Sequence, residues 1–308
     1  MVGPRQLALH RNRLNTGFTS TELLVVSVVI VIMLAVLTPG LLRSRQSARR
    51  AQCLNNLHQL GVALSNYEQT MTCFPPGCVN ETGPIYPEAF GCHLGWVYQL
   101  LPYMDQQNLY EMVDPSEGAY GMSAATYAVT VVPTLVCPSR DPDLPGAVSS
   151  YAGCIGGSSQ QIDTDGSGIL YLNSSVRDWD IPDGRGYTTV AGEIIPSPAL
   201  SRIGLTWISG TAATLRSSGI ELNTTDDTLY EELSADAGGF GSSHQRTVAF
   251  LMADGSVRAM SAGTDMQILQ RLGDRADGEM LPNEVDETMK RTQNQRRLSA
   301  ALRGESQP

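Results

Sequence analysis

The sequence predicts an α+β protein in which a long amino-terminal helix packs on a β-rich globular domain. Three observations predict it. Residues 23–37 are apolar at every position except Ser27. Just beyond, Leu54, Leu57, Leu60, Leu64 and Tyr67 recur at three- and four-residue spacing, the period of one helix face. From residue 71 onward, short β-prone apolar runs are punctuated by Pro, Gly, Asn and Asp. Composition agrees: with 30 Gly, 17 Pro and only 17% charged residues, the chain lacks the Ala, Glu and Lys load of a helical bundle. Its 308 residues suffice for a full hydrophobic core. A net charge of −10 argues against sequence-independent nucleic-acid binding, because phosphates would be repelled.

Taken in order, residues 1–17 form a leader carrying Arg5, Arg11 and Arg13 and no acid. The apolar run that follows is too long for a signal-peptide core and slightly short for a membrane span of about 20 residues. Adding residues 18–22 and Thr38 brings it to spanning length. The basic leader favours a cytoplasmic start, although Arg43, Arg45, Arg49 and Arg50 on the far side blunt the charge bias. Glu22 has two readings. Thr19-Ser20-Thr21-Glu22 has the spacing of a capping box. Alternatively, Gly17-Phe18 is a cleavage site, and the Glu22 carboxylate pairs with the new Phe18 amine of a neighbouring subunit, since a charge in hydrocarbon requires a partner.

A break at Pro39-Gly40 is expected before helix resumes to about Tyr67, where Phe74-Pro75-Pro76-Gly77 ends it. Residues 96–104 read as a short helix or a buried run. Residues 127–136 read as an edge strand broken by Pro133. In residues 247–261, Asp254-Gly255 reads as the two-residue turn of a hairpin. A helix is expected over 265–272, and from Asn283 the chain turns polar, a helical or disordered tail outside the core. The layout is therefore a leader (1–17), a helix (18–70, membrane-spanning over 18–38), a β-rich domain (71–282) and a tail (283–308).

Candidate chemistry is sparse. All six cysteines follow the apolar run, so disulfides are favoured if that side is outside the cytoplasm. Cys73, Cys78, Cys92 and His93 have a zinc-like spacing, which an oxidising compartment disfavours. Residues 163–168 (DTDGSG) begin like a calcium loop, but Ser174 stands where an EF-hand needs Glu, so a polar turn is expected. His244 and Asp254 would lie about 30 Å apart on an extended arm, too far for a catalytic pair. No nucleophile–base constellation is present, and no enzyme, cofactor or metal is expected.

Residues 17–26, GFTSTELLVV, resemble the type IV prepilin signal, with Ser20 and Thr21 replacing two apolar residues. The resemblance implies that a membrane peptidase removes the leader after Gly17, that Phe18 becomes the methylated amino terminus, and that the apolar helix stays as an anchor. Further segments resemble a pilin-like planctomycete family, domain of unknown function 1559. They are Gln52-Cys53-Leu54-Asn55-Asn56-Leu57, Phe74-Pro75-Pro76-Gly77, Leu100 to Tyr110, Cys137-Pro138-Ser139, Ser150-Tyr151-Ala152-Gly153, and residues 183–193 ending in Gly192-Glu193. To these is added Phe240-Gly241-Ser242-Ser243-His244 with Asp254-Gly255, a His-nine-Asp-Gly motif. Cys53 borders the apolar stripe of the helix and Cys137 closes the 131–136 run. Both fall in matched segments, so a Cys53–Cys137 disulfide is expected, with the other four cysteines pairing among themselves. The rival is that both are small buried apolar residues.

The expected function is that of a pilin- or pseudopilin-like structural or assembly protein. It would be a single-pass protein of the cell inner membrane with its C-terminal domain outside, its partners a prepilin peptidase and further copies of itself. The alternative is a surface or periplasmic module binding a solute or glycan, with Trp96, Trp179 and Trp207 lining the site.

Overall fold

The structure, a computed structural model, describes residues 19–121, 129–144, 147–158, 161–199, 204–224, 236–244 and 247–279, without the side chains of residues 36, 37 and 39–43. The leader, the Gly17-Phe18 site and the tail over 283–308 lie outside the described residues. In chain order the elements are helix α1 (Ser20–Met71), strands β1 (Cys78–Val79) and β2 (Leu94–Gly95), helices α2 (Trp96–Leu100) and α3 (Gln107–Met112), strands β3 (Tyr151–Gly156), β4 (Thr189–Glu193), β5 (Leu215–Ser217), β6 (Thr247–Met252) and β7 (Val257–Ser261), and helix α4 (Met266–Gly273). Short 3-10 turns at Leu101–Met104, Gly118–Tyr120, Pro133–Leu135 and Asp178–Asp180 complete them. Two compact units result, Met1–Ala48 and Arg49–Pro308.

In the first unit, α1 opens with the capping box. The Thr19 N–H donates to Glu22 Oε2 at 2.9 Å and the Glu22 N–H donates to Thr19 Oγ1 at 3.3 Å. Large apolar side chains from Leu23 to Leu34 are exposed, each by 44% or more. The two hydroxyls of the run turn inward: Ser27 donates to the Leu24 carbonyl and Thr38 to the Leu34 carbonyl, leaving neither donor unsatisfied. Among the described residues, no helix is long and apolar enough to cross a membrane. Phe18 and the side chains of Val36 and Leu37, which the sequence counts into a span, lie outside the description. Helix continues through Pro39-Gly40 where a break was expected, although a mid-helix proline loses one ladder hydrogen bond and crowds the carbonyl four residues earlier.

In the second unit, α1 buries Cys53, Asn56, Leu57, Leu60, Ala63, Leu64 and Tyr67 on one face. Cys53 therefore sits on the buried stripe rather than at its border, and Leu54 is half-buried. Gly61 packs closely on β6: a Cβ there would lie 2.9 Å from Leu251 Cδ1, the end of a flexible side chain that would have to shift to admit it. The helix ends at Met71, four residues past the expected Tyr67, and the positive φ of 61° at Thr72 terminates the spiral.

The main sheet has five strands in the order β5-β3-β4-β6-β7, antiparallel except for the parallel β5–β3 pair. β3 and β4 are buried throughout, as expected of central strands covered on both faces. Alternation along β6 assigns the faces. Ala249 and Leu251 join the cluster containing Leu57, Leu60 and Tyr151, while Val248, Phe250 and Met252 join Leu269 and Leu272 of α4. A separate ribbon pairs β1 with β2.

The hairpin forms with a different turn from the expected one. Gly255 N–H donates to the Met252 carbonyl and Met252 N–H to the Ser256 carbonyl, so Ala253, Asp254 and Gly255 make a three-residue loop. Gly255 takes the left-handed position at φ 79°. The helix expected over 265–272 is α4, with Asp265 capping the Gln267 N–H at 2.8 Å. The strand expected over 127–136 is absent from its described part: Pro133 opens a 3-10 turn, Pro133–Leu135, and its missing N–H suits the first turn of a helix better than a ladder. Residues 127 and 128 lie outside the description.

His93 gives the fold an acid sensitivity. It is buried edge-on to Tyr120, its Nδ1 3.1 Å from the phenol oxygen, and burial depresses its pKa to about 4. The unfolded imidazole takes its proton as pH falls through about 6.5, while the folded one waits until about 4. Stability is thus full above pH 6.5 and is lost between 6.5 and 4, by about 2 kcal/mol once residual solvent screening is allowed for. His93→Asn, which tolerates the positive φ of 43°, flattens this slope in urea titrations at pH 7.5 and pH 5; an unchanged slope assigns the sensitivity elsewhere.

Candidate functional site

Five segments far apart in sequence meet around one disulfide. Cys53 of α1 is bonded to Cys137, 84 residues on, with Cα atoms 5.2 Å apart. The surroundings hold both backbones. Tyr151 at the start of β3 donates its hydroxyl to the Cys53 carbonyl at 3.1 Å, Asn56 donates its amide to the Val136 carbonyl at 3.0 Å, and the Cys137 N–H donates to Ser150 Oγ at 3.1 Å. His244 enters just before β6, its N–H donating to Ser242 Oγ at 3.1 Å. Its Nε2 lies 3.6 Å from Cys137 Sγ and 4.0 Å from Glu193 Oε1 at the end of β4. The other Glu193 oxygen, Oε2, accepts the Ala249 N–H at 3.0 Å.

Electrostatics follow from burial. Desolvation pushes the Glu193 carboxyl above the usual carboxylate range, opposed by the Ala249 and Ser242 donors and by the positive charge of Arg50. Desolvation, then the charge of Arg50, lowers His244. Its imidazole is therefore neutral at neutral pH, and its contact with Glu193 is not an ion pair. Arg50 is held by donating to the Thr247 hydroxyl at 2.8 Å. The notch beside the disulfide, lined by Cys137, Arg140, Ser150 and Glu193 among others, encloses no water-sized space. The side chains of Cys53, Cys137, Glu193 and His244 nonetheless present two sulfurs, a nitrogen and a carboxylate oxygen within 4.8 Å of one another.

The structure brings some expected site residues together and separates others. Cys53 and Cys137 are joined as expected. Cys73, Cys78, Cys92 and Cys154 are all free, which corrects the expectation that they pair. Cys78 and Cys154 are buried, and desolvation holds the Cys78 thiol far above its ordinary value. Among the described residues, the zinc-like spacing of Cys73, Cys78, Cys92 and His93 does not assemble three ligands in one place. His244 stands at the disulfide, whereas Asp254 caps its own turn by accepting the Ser256 N–H at 2.9 Å. Glu22 lies in its capping box. In the 163–168 loop Asp163 accepts the Thr164 N–H at 2.7 Å, and the Ser167 hydroxyl is bonded to Asp274. Trp96 and Trp207 are core residues whose indole N–H groups reach the Thr214 and Thr130 carbonyls, while Trp179 is exposed beneath Arg177.

Sequence reasoning did not select Glu193, Asn56, Tyr151 or Ser150 as site residues. The signal that finds them is that Asn56, Ser150, Tyr151 and Glu193 each fall in a segment quoted above as a signature, as do Cys53, Cys137 and His244. A family model described as protein of unknown function (DUF1559), with the label SBP_bac_10, matches residues 43–267. No curated protein matches the chain significantly. No solved structure does either.

Proposed function

The chain belongs to the family described as protein of unknown function (DUF1559), and we propose that it is a pilin- or pseudopilin-like structural or assembly protein. It is anchored in the cell inner membrane by residues 18–38, with its β-rich domain outside the cytoplasm. The observation that carries this reading is the exposed apolar surface of α1 from Leu23 to Leu34, where every large apolar side chain is open by 44% or more. So extended an apolar helix surface in water is a large penalty, and lipid or a bundle of like helices removes it. The inward hydrogen bonds of Ser27 and Thr38 support it, because hydrocarbon tolerates no unsatisfied donor. The disulfide supports an oxidising compartment for the second unit. In this reading the protein has no catalytic role; its partners are the membrane, a prepilin peptidase that cuts after Gly17 and methylates Phe18, and further copies of itself.

Glu22 separates anchoring from assembly. The Glu22→Ala variant inserts in the membrane but fails to form cross-linkable oligomers through the N-terminal helix, because the carboxylate no longer neutralises a neighbouring Phe18 amine. Glu22→Gln keeps the capping box but loses that charge, and fails similarly. Wild-type yields of cross-linked species from both variants would leave Glu22 as a helix cap alone. Recovery of wild-type protein in the soluble fraction would remove the anchor itself.

A further inference from the structure

We propose that Cys53, Cys137, His244 and Glu193 form a redox-gated site for a divalent zinc-like ion, closed to metal while the disulfide is intact and opened by its reduction. Two sulfurs, one imidazole nitrogen and one carboxylate oxygen are donor types that zinc takes, with a preference for tetrahedral geometry. With Zn–S near 2.3 Å and Zn–N near 2.0–2.1 Å, the sulfur–nitrogen edge of such a tetrahedron is about 3.6 Å. The distance from His244 Nε2 to Cys137 Sγ is 3.6 Å. The nitrogen–oxygen edge is about 3.4 Å, and His244 Nε2 to Glu193 Oε1 is 4.0 Å, a side-chain adjustment of a few tenths of an ångström. The sulfurs must part from bonding contact to an edge of about 3.8 Å, and the four donors, now within 4.8 Å of one another, must draw in by up to about 1 Å. Breaking the disulfide allows that separation.

The surroundings suit a metal as well as a staple. Glu193 Oε2 is fixed by the Ala249 N–H, which leaves Oε1 facing His244. Ser242, Ser150, Tyr151 and Asn56 hold the backbones of His244, Cys137 and Cys53 and of Val136 beside it. Such outer contacts orient ligands. Charge closes too: two thiolates, one carboxylate and a dication leave one net negative charge, beside Arg50, which already acts electrostatically on Glu193 and His244.

The chemistry balances as follows. A dithiol donor supplies two electrons and two protons; the S–S bond breaks, two S–H groups form, and the donor closes to a cyclic disulfide. Metal entry then forms two metal–sulfur bonds and releases the two thiol protons to solvent. Reoxidation by a small-molecule disulfide, which takes up the two electrons and leaves as two thiolates, restores the protein S–S bond and expels the ion. The proposal is independent of the anchoring role, since every ligand lies between residues 53 and 244.

The test uses the full chain in detergent micelles, reduced anaerobically with a phosphine and titrated with Co²⁺, then with Zn²⁺. The expected result is one Co²⁺ per chain, with thiolate charge-transfer absorption and intense tetrahedral ligand-field bands that Zn²⁺ abolishes, and no uptake by the oxidised chain. Bound Zn²⁺ protects Cys53 and Cys137 from alkylation, mapped by mass spectrometry, while Cys73 and Cys92 stay reactive. His244→Gln and Glu193→Gln retain the disulfide, and each weakens Co²⁺ binding by about tenfold or more. The proposal is overturned if the reduced chain takes up no stoichiometric Co²⁺, or if protection falls on Cys73, Cys78 and Cys92. It is equally overturned if both variants bind as the wild type does, or if reduction abolishes near-ultraviolet circular dichroism and Zn²⁺ does not restore it.

Discussion

Replacing both Cys53 and Cys137 by alanine lowers the unfolding free energy of the second unit by about 4 kcal/mol. The bond closes a loop of 84 residues, and constraining so long a loop removes much of the unfolded chain's freedom. It also ties the buried face of α1 to the segment that follows the Pro133–Leu135 turn, which no sheet hydrogen bond holds. Urea titration of the double variant shows a lower midpoint. Adding a reductant with a chelator shifts the wild type by a similar amount and the double variant not at all. A loss below about 1 kcal/mol in the double variant would mean that the surrounding hydrogen bonds, not the disulfide, hold these segments.

Arg185→Met costs about 3 kcal/mol, the next largest expected effect. Its guanidinium makes a two-pronged pair with Glu68 of α1, Nη1 to Oε1 at 2.7 Å and Nη2 to Oε2 at 2.6 Å. Nε donates to the Ala253 carbonyl at 3.0 Å in the β6–β7 turn, and the plane stacks over Phe74, 5.3 Å from its centroid. One side chain thus pins the end of α1 and the hairpin tip together. Glu68 is 17% exposed, so removing its partner strands a largely buried carboxylate. Asp178, also paired with Arg185, is 68% exposed, and Asp178→Ala changes stability by about 0.5 kcal/mol or less. Arg185→Lys does not rescue, because an ammonium cannot span both oxygens and the carbonyl. A double-mutant cycle with Glu68→Gln measures the coupling; a value near zero would place the pair among ordinary surface ion pairs.

Legibility in the sequence followed the range of the interactions. The leucine spacing reports one helix face, so the second half of α1 was readable almost to its end. Asp265 with the 265–272 pattern likewise predicts α4, and the arms around Asp254-Gly255 predict the β6–β7 hairpin. The turn was misjudged by one residue, because Ala253 joins the loop through a hydrogen bond that apolar patterning does not encode. Val131 to Val136 reads as a strand by β-branching, yet Pro133 starts a 3-10 turn there. The parallel strand β5 was invisible, since Leu215–Ser217 is three residues long and its partner β3 lies about sixty residues earlier. The disulfide was readable because two cysteines coincided with two signature segments. That Glu193 and His244 stand beside it was not, although both also lie in signature segments, because they reach it only through the β4–β6 pairing, a contact that sequence spacing cannot express.

In the proposed reading a leader is removed and an apolar helix is retained as an anchor. Intact-mass and amino-terminal peptide mass spectrometry of the protein purified from membranes tests it most directly. The predicted result is a chain beginning at Phe18 with one added methyl group on its α-amine, recovered wholly in the membrane fraction and lost when Gly17→Val blocks processing. A mature protein that retains residues 1–17, or one cleaved beyond residue 38 and recovered in the soluble fraction, would contradict it.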